Sequence, residues 1–366
     1  MTRYPRLISL ATATPPHLLP QTEVEAWAGR LFAEALRDDP TKLQIFRNAQ
    51  IEQRRLCVPL EWFETDHSFG EKNDLYIGEA IRLGGEAAQG ALARAGLSPT
   101  DVDHIVFVSS TGLATPSLDV RIANALGLRS DCRRTPLWGL GCAGGAVGLS
   151  HAMDFARADP AARVLLVAVE LCSLTFQRND LSARNLVATS LFGDGAAAAI
   201  VVGEAVTVLE GDAGRGGRRL LELLASRSTL WENSVDVMGW TVDGDGLHVV
   251  FSREIPELVQ REALANLTQF LETQGLTPAT LDHFVVHPGG VKVLRAFQDA
   301  LDLPAAALHH ARETLREFGN MSSPSCLFVL ERFLDAGDIG VGESAVLAAL
   351  GPGFASEYLL MRGMAD

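Results

Sequence analysis

The sequence has no CxxC pair, no clustered His/Cys spacing and only five cysteines in 366 residues. An odd, unpaired set of this kind argues against a disulfide framework and a structural zinc site. It places the chain in a reducing compartment, and a cytoplasmic location is expected. Long apolar runs are missing as well, since nothing approaches the roughly 20 residues of a membrane span. The opening stretch is broken by Pro15, Pro16 and Pro20, which suits a first strand and a turn better than a signal peptide. Positive charge is scarce: 31 Lys and Arg stand against 45 Asp and Glu, a net charge of −14. That balance argues against nucleic acid and anionic membrane as partners, and an anionic substrate would need a local basic entrance. No GxGxxG unit is present, so nothing points to a dinucleotide.

What the chain does have is a large apolar fraction, 47%, and buried-strand runs separated by helical patterns. The runs 102–109, 163–171, 196–202, 283–287, 344–350 and 356–362 read as strands, and Asn73 to Ala95 as a long amphipathic helix ended by Gly96. Glu23 to Arg37 reads as a helix, and Lys42 to Arg55 as a second, basic one: a solvated face or a cationic mouth. Residues 96–108, GLSPTDVDHIVFV, resemble residues 275–287, GLTPATLDHFVVH, at an offset of 179, with Gly, Leu, Pro, Asp, His and one Val identical. The same offset carries Gly141 to Asn320 and Cys142 to Met321, and both points open an apolar helix, Ala143 onward and Ser322 to Asp335. The pattern implies a duplicated α/β fold, residues 1–210 and 211–366, with the boundary in the Gly/Arg-rich stretch Glu204–Gly217.

The chemistry centres on Trp138-Gly-Leu-Gly-Cys142-Ala-Gly-Gly145. Glycines relax the backbone and leave room beside the thiol. A thiol in the first turn of a helix meets the positive end of the helix dipole, which favours the thiolate. In the second half, His287-Pro-Gly289-Gly follows a strand, where α/β sites form, and Gly319-Asn320-Met-Ser322 opens a helix, where asparagine is first of all a cap. Together Cys142, His287 and Asn320 supply a nucleophile, a proton acceptor and an amide donor. Three readings meet that set: a cysteine peptidase, a carbon–carbon bond-forming acyltransferase and a non-catalytic scaffold. The peptidase order predicts Cys-Trp near the N-terminus; here the cysteine is mid-chain with no tryptophan after it.

WGLGCAGG, FGDGAAA, HPGG, GNMSSPS and GPGF, in this order, resemble the type III polyketide synthases, the chalcone synthase-like branch of the thiolase superfamily, over essentially the whole chain. The resemblance implies a homodimer with a five-layered αβαβα core. It implies Cys142 as the acyl-carrying nucleophile, His287 and Asn320 as its partners, and Phe192 as the gate between the CoA tunnel and the cavity. Acyl-CoA starter and malonyl-CoA are the implied substrates, with no metal, flavin or nicotinamide.

The family wall segment aligns with Glu170–Phe176 and includes Cys172 and Thr175; Ser322 and Gly289 join the site through GNMSS and HPGG. Plant members have threonine where this chain has Cys172, a methionine reaching across the dimer where it has Thr115, and phenylalanine near Val249. The smaller residues at the last two places suggest a roomier or differently shaped cavity. Together with the likeness to bacterial members, they imply a fatty-acyl starter and a pyrone or resorcinol product. Chalcone- or stilbene-type synthesis, malonyl-primed aromatic synthesis and a carrier-protein-dependent single condensation are the alternatives. Lys292, just past HPGG, is a candidate for the CoA phosphates.

Overall fold

The computed structural model describes residues 4–34, 36–37, 39–208 and 220–364. Among them run thirteen strands, β1 (Arg6–Ala13), β2 (His17–Pro20), β3 (Gln53–Leu56), β4 (His104–Val108), β5 (Arg133–Leu137), β6 (Arg163–Leu171), β7 (Asp194–Val202), β8 (Leu221–Leu230), β9 (Met238–Asp243), β10 (Gly246–Phe251), β11 (His283–Val286), β12 (Ser344–Gly351) and β13 (Ala355–Gly363). Nine form one hydrogen-bonded sheet in the order β11-β12-β13-β8-β1-β7-β6-β4-β5, while β2 pairs β3 and β9 pairs β10. The boundary inferred between residues 210 and 211 lies outside the described residues.

The sheet order reads alike from either side of the β1/β8 junction. In the first half β4 runs parallel to β6, and β7 turns antiparallel between β6 and β1. In the second, β11 runs parallel to β12, and β13 turns antiparallel between β12 and β8. The two repeat copies match locally. Gly96 and Gly275 take left-handed φ values of 65° and 70°, a 3₁₀ turn follows at Pro99–Asp101 and at Pro278–Thr280, and β4 or β11 comes next. Only glycine enters that backbone region without strain.

Two helices, Gly144–Ala158 and Ser325–Ala336, touch each other and strands of both halves. They form the middle layer of a thiolase-like αβαβα fold. Strands here are covered on both faces and so read as continuous apolar runs. Along β7, Ala196, Ala198 and Ile200 face the core beneath helix Phe69–Ala95, while Ala197, Ala199 and Val201 face the inner core. That long helix starts at a Ser68/Glu71 capping box and ends at Gly96. Helix Ile255–Glu272 lies on the second half, where Phe270 stacks on Tyr358 at 6.1 Å.

Three expectations change. The segment expected to be a basic helix from Lys42 to Arg55 is a 3₁₀ turn, a short helix Gln44–Asn48 and then β3. In β3 Arg54 and Leu56 point inward and Gln53 and Arg55 are only half-buried, a period of two that the cluster of charges disguised. The helix expected over Glu23 to Arg37 is Gln21–Leu31. The helix expected from Ser322 begins at Ser325, with Pro324 as its N-cap.

Candidate active site

Cys142 sits in the 3₁₀ turn Gly141–Ala143, directly before the central helix Gly144–Ala158. The glycines around it serve packing more than substrate access. A Cβ on Gly145 would lie 2.2 Å from the Ser323 carbonyl oxygen, and one on Gly141, at φ 45°, would lie 2.8 Å from the Pro352 ring. The two middle-layer helices approach this closely only because the side chain is absent. The turn is held from below by Glu170 at the end of β6. Its carboxylate accepts from Ser110 N–H at 2.9 Å and from the hydroxyls of Thr111 and Ser323 at 2.8 Å each. Ser110 Oγ in turn accepts from Gly141 N–H at 3.0 Å. Burial holds Glu170 up at about 7, against these hydrogen bonds.

Asn320 is not a helix cap. Its carboxamide is buried 3.9 Å from Cys142 Sγ. Ser322 N–H, on a residue at φ 58°, donates to Asn320 Oδ1 at 2.8 Å, which fixes the amide's orientation. His287 follows β11, its N–H bonded to the Ala348 carbonyl at 2.8 Å, and Gly289 N–H folds back onto the His287 carbonyl at 2.9 Å. Cys142, His287, Asn320 and Gly289 line one cavity of about 340 Å³, closed by apolar side chains such as Met238, Phe251 and Leu350. The imidazole is buried, and among the described residues neither of its nitrogens has a hydrogen-bond partner.

The resting charges differ from the expected thiolate. Burial pushes the Cys142 thiol up to about 11, against hydrogen bonds from Ser322 and Asn320, and burial pushes the His287 imidazole down to about 3. A dry pocket disfavours each charge alone more than the helix terminus favours the thiolate. Burial thus favours the neutral thiol and the neutral imidazole over either charge alone.

Phe192 lines a second, larger cavity of about 600 Å³. Its backbone forms a bridge to Asn320: Asn320 N–H donates to the Leu191 carbonyl at 2.9 Å and Gly193 N–H to the Asn320 carbonyl at 3.0 Å. Arg54, buried, donates to the Phe192 carbonyl at 2.9 Å and to Thr189 at 2.7 Å, so it caps helix Ala183–Leu191. Asp194, two residues on, accepts from Ser173 N–H and Cys57 N–H at 2.8 Å each. The larger cavity is lined by Cys172, Thr175, Val249 and Phe192, and beyond them by Trp27, Leu60 and Phe63. The β9–β10 ribbon roofs both spaces with one face. Its Met238/Phe251 pair lines the Cys142 cavity, and its Trp240/Val249 pair, two residues along, lines the larger one.

Residues 5–205 match the family described as chalcone and stilbene synthases, N-terminal domain, and residues 222–365 match the C-terminal domain of the same family. The chain belongs to the chalcone and stilbene synthase family. A 1,3,6,8-tetrahydroxynaphthalene synthase of Streptomyces peucetius subsp. caesius is 40% identical over 96% of this chain and 91% of that protein. A putative chalcone synthase of Bacillus subtilis (strain 168) is 38% identical over 97% of each. The crystal structure of 1,3,6,8-tetrahydroxynaphthalene synthase from Streptomyces coelicolor A3(2), a bacterial type III polyketide synthase, matches with a TM-score of 0.89 at 32% identity, covering 98% of this chain and 99% of that one. The protein is thus a condensing acyltransferase of the type III polyketide synthase family, with that family's thiolase-like fold.

Three residues singled out in the sequence of this type III polyketide synthase, Thr115, Lys292 and Ser322, line neither cavity, although Ser322 holds Asn320 from beside it. Thr115 is exposed on the loop before helix Leu118–Leu126, and Lys292 is exposed in the first turn of helix Val291–Ala300. Three others escaped sequence reasoning. Glu170, named only as the first residue of the wall segment, was discoverable as the one acidic residue in the apolar run RVLLVAVEL. Trp240 has its ring 6.3 Å from Phe192 and pairs across the ribbon with Val249, and both line the larger cavity. Arg54 carried no signal beyond belonging to a basic cluster. Among the described residues no group of three or more His, Cys, Asp or Glu is placed to hold a metal, and no helix is long and apolar enough to cross a membrane.

Proposed function

We propose that this enzyme carries out iterative decarboxylative condensation of malonyl-CoA onto an acyl group held on Cys142, and that the starter is aliphatic. The observation that carries the reading is one cavity lined by a thiol, a carboxamide 3.9 Å from it, and a buried imidazole whose two nitrogens have no protein partner among the described residues. Burial favours the thiol and the neutral imidazole over their ions, so the proton moves when a thioester arrives. His287 takes it from Cys142, sulfur attacks the acyl-CoA carbonyl, and CoA leaves with a proton. Malonyl-CoA then enters and loses CO₂. Its enolate oxygen is held by donors from His287 and Asn320, an arrangement that contributes on the order of a few kcal/mol. The enolate carbon attacks the Cys142 acyl carbon, the Cys142 thiolate departs, and a β-ketoacyl-CoA two carbons longer results. No redox cofactor or metal enters this sequence.

An aliphatic starter is supported by the walls of the larger cavity, where eleven apolar residues, Val24, Leu56, Leu60, Phe63 and Phe176 among them, outnumber seven polar ones. Ring closure of such a chain gives a pyrone or resorcinol. A second reading, malonyl-primed aromatic synthesis, is favoured by the 40% identity to a tetrahydroxynaphthalene synthase. Acyl-CoAs of rising length offered with malonyl-CoA, with intact-mass detection of the Cys142 adduct and mass spectrometry of products, separate the two. Products from malonyl-CoA alone, unaffected by any acyl-CoA, would remove the aliphatic reading. The enzyme acts as a homodimer in this proposal. Leu113 and Trp138 are 40% and 51% exposed beside the Thr115 loop, and a second copy covering that face buries them. Light scattering coupled to size exclusion reads this directly.

A further inference from the structure

Asn320 reaches Cys142 on main chain that is itself tied to another element, the end of helix Ala183–Leu191. The last carbonyls of a helix have no partner within it, and buried ones are costly to leave unpaired. Here four successive carbonyls are met from outside. Arg54 donates to Thr189 at 2.7 Å and to Phe192 at 2.9 Å. It shares Ser190 with Gln21, at 3.2 and 2.9 Å. The fourth, Leu191, is met by Asn320 N–H at 2.9 Å. Gly193 N–H then donates to the Asn320 carbonyl at 3.0 Å, so Asn320 is bonded to this turn through both of its main-chain groups. The two chains touch directly: a Cβ on Gly193 would lie 2.4 Å from the Phe318 carbonyl oxygen.

Arg54 is carried by β3, and that short strand braces the same junction at two further points. Glu52, just ahead of it, donates its N–H to the Arg316 carbonyl at 2.8 Å, on the helix that leads to Asn320. Cys57, just past it, donates its N–H to Asp194 at 2.8 Å. The guanidinium is 2% exposed, and Gln21 accepts from its Nη2. A rigid fork of donors reaches three carbonyls at once, which an ammonium on a flexible stem does not. The other two site residues are held elsewhere. The Cys142 turn hangs from Ser110 and Glu170, and His287 N–H from the Ala348 carbonyl.

We propose that Arg54 is a positioning residue for the Asn320 carboxamide: it fixes the helix end from which Asn320 is hung, and so holds the amide at its 3.9 Å from Cys142 Sγ. The inference rests on the condensing function proposed above and deepens it, by adding a residue that acts through Asn320. Without the guanidinium, the Thr189 and Phe192 carbonyls lose their donors, the turn shifts, and Asn320 moves with it. Malonyl decarboxylation, which uses the amide, slows. Loading of Cys142, which uses the thiol and the imidazole, does not.

The test is a double-mutant cycle on the whole enzyme: wild type, Arg54→Met, Asn320→Ala and the double variant. Two rates are read for each, acylation of Cys142 by octanoyl-CoA, followed by intact mass, and CO₂ release from malonyl-CoA. Arg54→Met lowers CO₂ release about tenfold, less than outright loss of a donor, and changes acylation by less than about twofold. On top of Asn320→Ala the same substitution changes CO₂ release by less than about twofold, because the group it positioned is gone. A tenfold loss that persists without Asn320, or a parallel fall of acylation and CO₂ release, overturns the inference and leaves Arg54 a residue of the fold, with the condensing function intact. Arg54→Lys serves where Arg54→Met does not fold: it keeps the charge but not the fork, and its cycle shows a smaller loss with the same dependence on Asn320. Loss of folding in both variants makes Arg54 a stability residue and overturns the inference as well. A wild type that neither acylates Cys142 nor releases CO₂ sinks the condensing function itself, and this inference with it.

Discussion

The two cavities sit side by side under one ribbon and are built on opposite plans. The Cys142 cavity is small and concentrates polar function: a thiol, an imidazole with both nitrogens unpartnered and an oriented carboxamide among apolar walls. The larger one is mostly apolar, and nearly all of its polar groups are spent on holding the protein together. Burial raises the free energy of any lone charge in the first, so its reactivity waits for a substrate. The second offers volume bounded by mostly apolar walls. The difference separates residues whose loss stops chemistry from residues whose loss redirects it.

The largest expected effect breaks the first cavity. Cys142→Ala removes the atom that holds the chain, and product formation falls by about a thousandfold or more. Intact mass shows no acyl adduct, while slow malonyl-CoA decarboxylation persists through His287 and Asn320. Product formation at the ordinary rate would refute the assignment. Asn320→Ala deletes one donor to the enolate and lowers decarboxylation about a hundredfold, read as CO₂ release, with starter loading less affected.

The resting charge state makes a pH prediction with a definite sign. His287 has a folded value near 3 against about 6.5 unfolded. As pH falls from about 6.5 toward 3 the unfolded chain takes up a proton that the folded one does not, so stability drops through that window and is flat above it. His287→Gln lacks this component. Melting curves of the two proteins converge in slope above pH 7 and diverge below 6. Parallel curves throughout would mean that the imidazole is not held neutral.

Smaller effects sharpen the second cavity. Trp240→Ala opens space beside Phe192 and shifts the preferred starter to longer chains by about tenfold in kcat/KM, measured across the acyl-CoA series. The smallest change belongs outside both cavities. Lys292→Ala raises KM for acyl-CoA by about twofold at low salt if its ammonium meets the phosphates, since an exposed charge contributes little. No salt-dependent change would remove it from the CoA path.

Legibility in the sequence follows the same division. Strands sandwiched between helices announce themselves as unbroken apolar runs, so β4, β6, β7 and β12 were readable within a residue or two. The three residues brought to the first cavity stand in short, unusual loops, and it was their combination, not any one of them, that pointed to chemistry. Arg54 was not readable, because a buried guanidinium and a solvated one are the same letter until its carbonyl partners are known. Nor was the neutral thiol. A helix N-terminus is visible in sequence, whereas the dryness of the pocket that outweighs it is set by Met238, Phe251 and Leu350, all distant in the chain. Trp240 faces the cavity only because of the ribbon's register, a pairing that local pattern does not specify.

The junction of Leu191–Gly193 with Asn320 couples two properties that a designer would want to set separately. One wall of the larger cavity, at Phe192, and the reach of the carboxamide toward sulfur share one stretch of main chain. Shifting that stretch to admit a bulkier chain would slow bond formation by the same displacement. Widening without loss of rate must therefore come from side-chain volume on the roof, which makes the β9–β10 ribbon the part of this enzyme that is free to diversify.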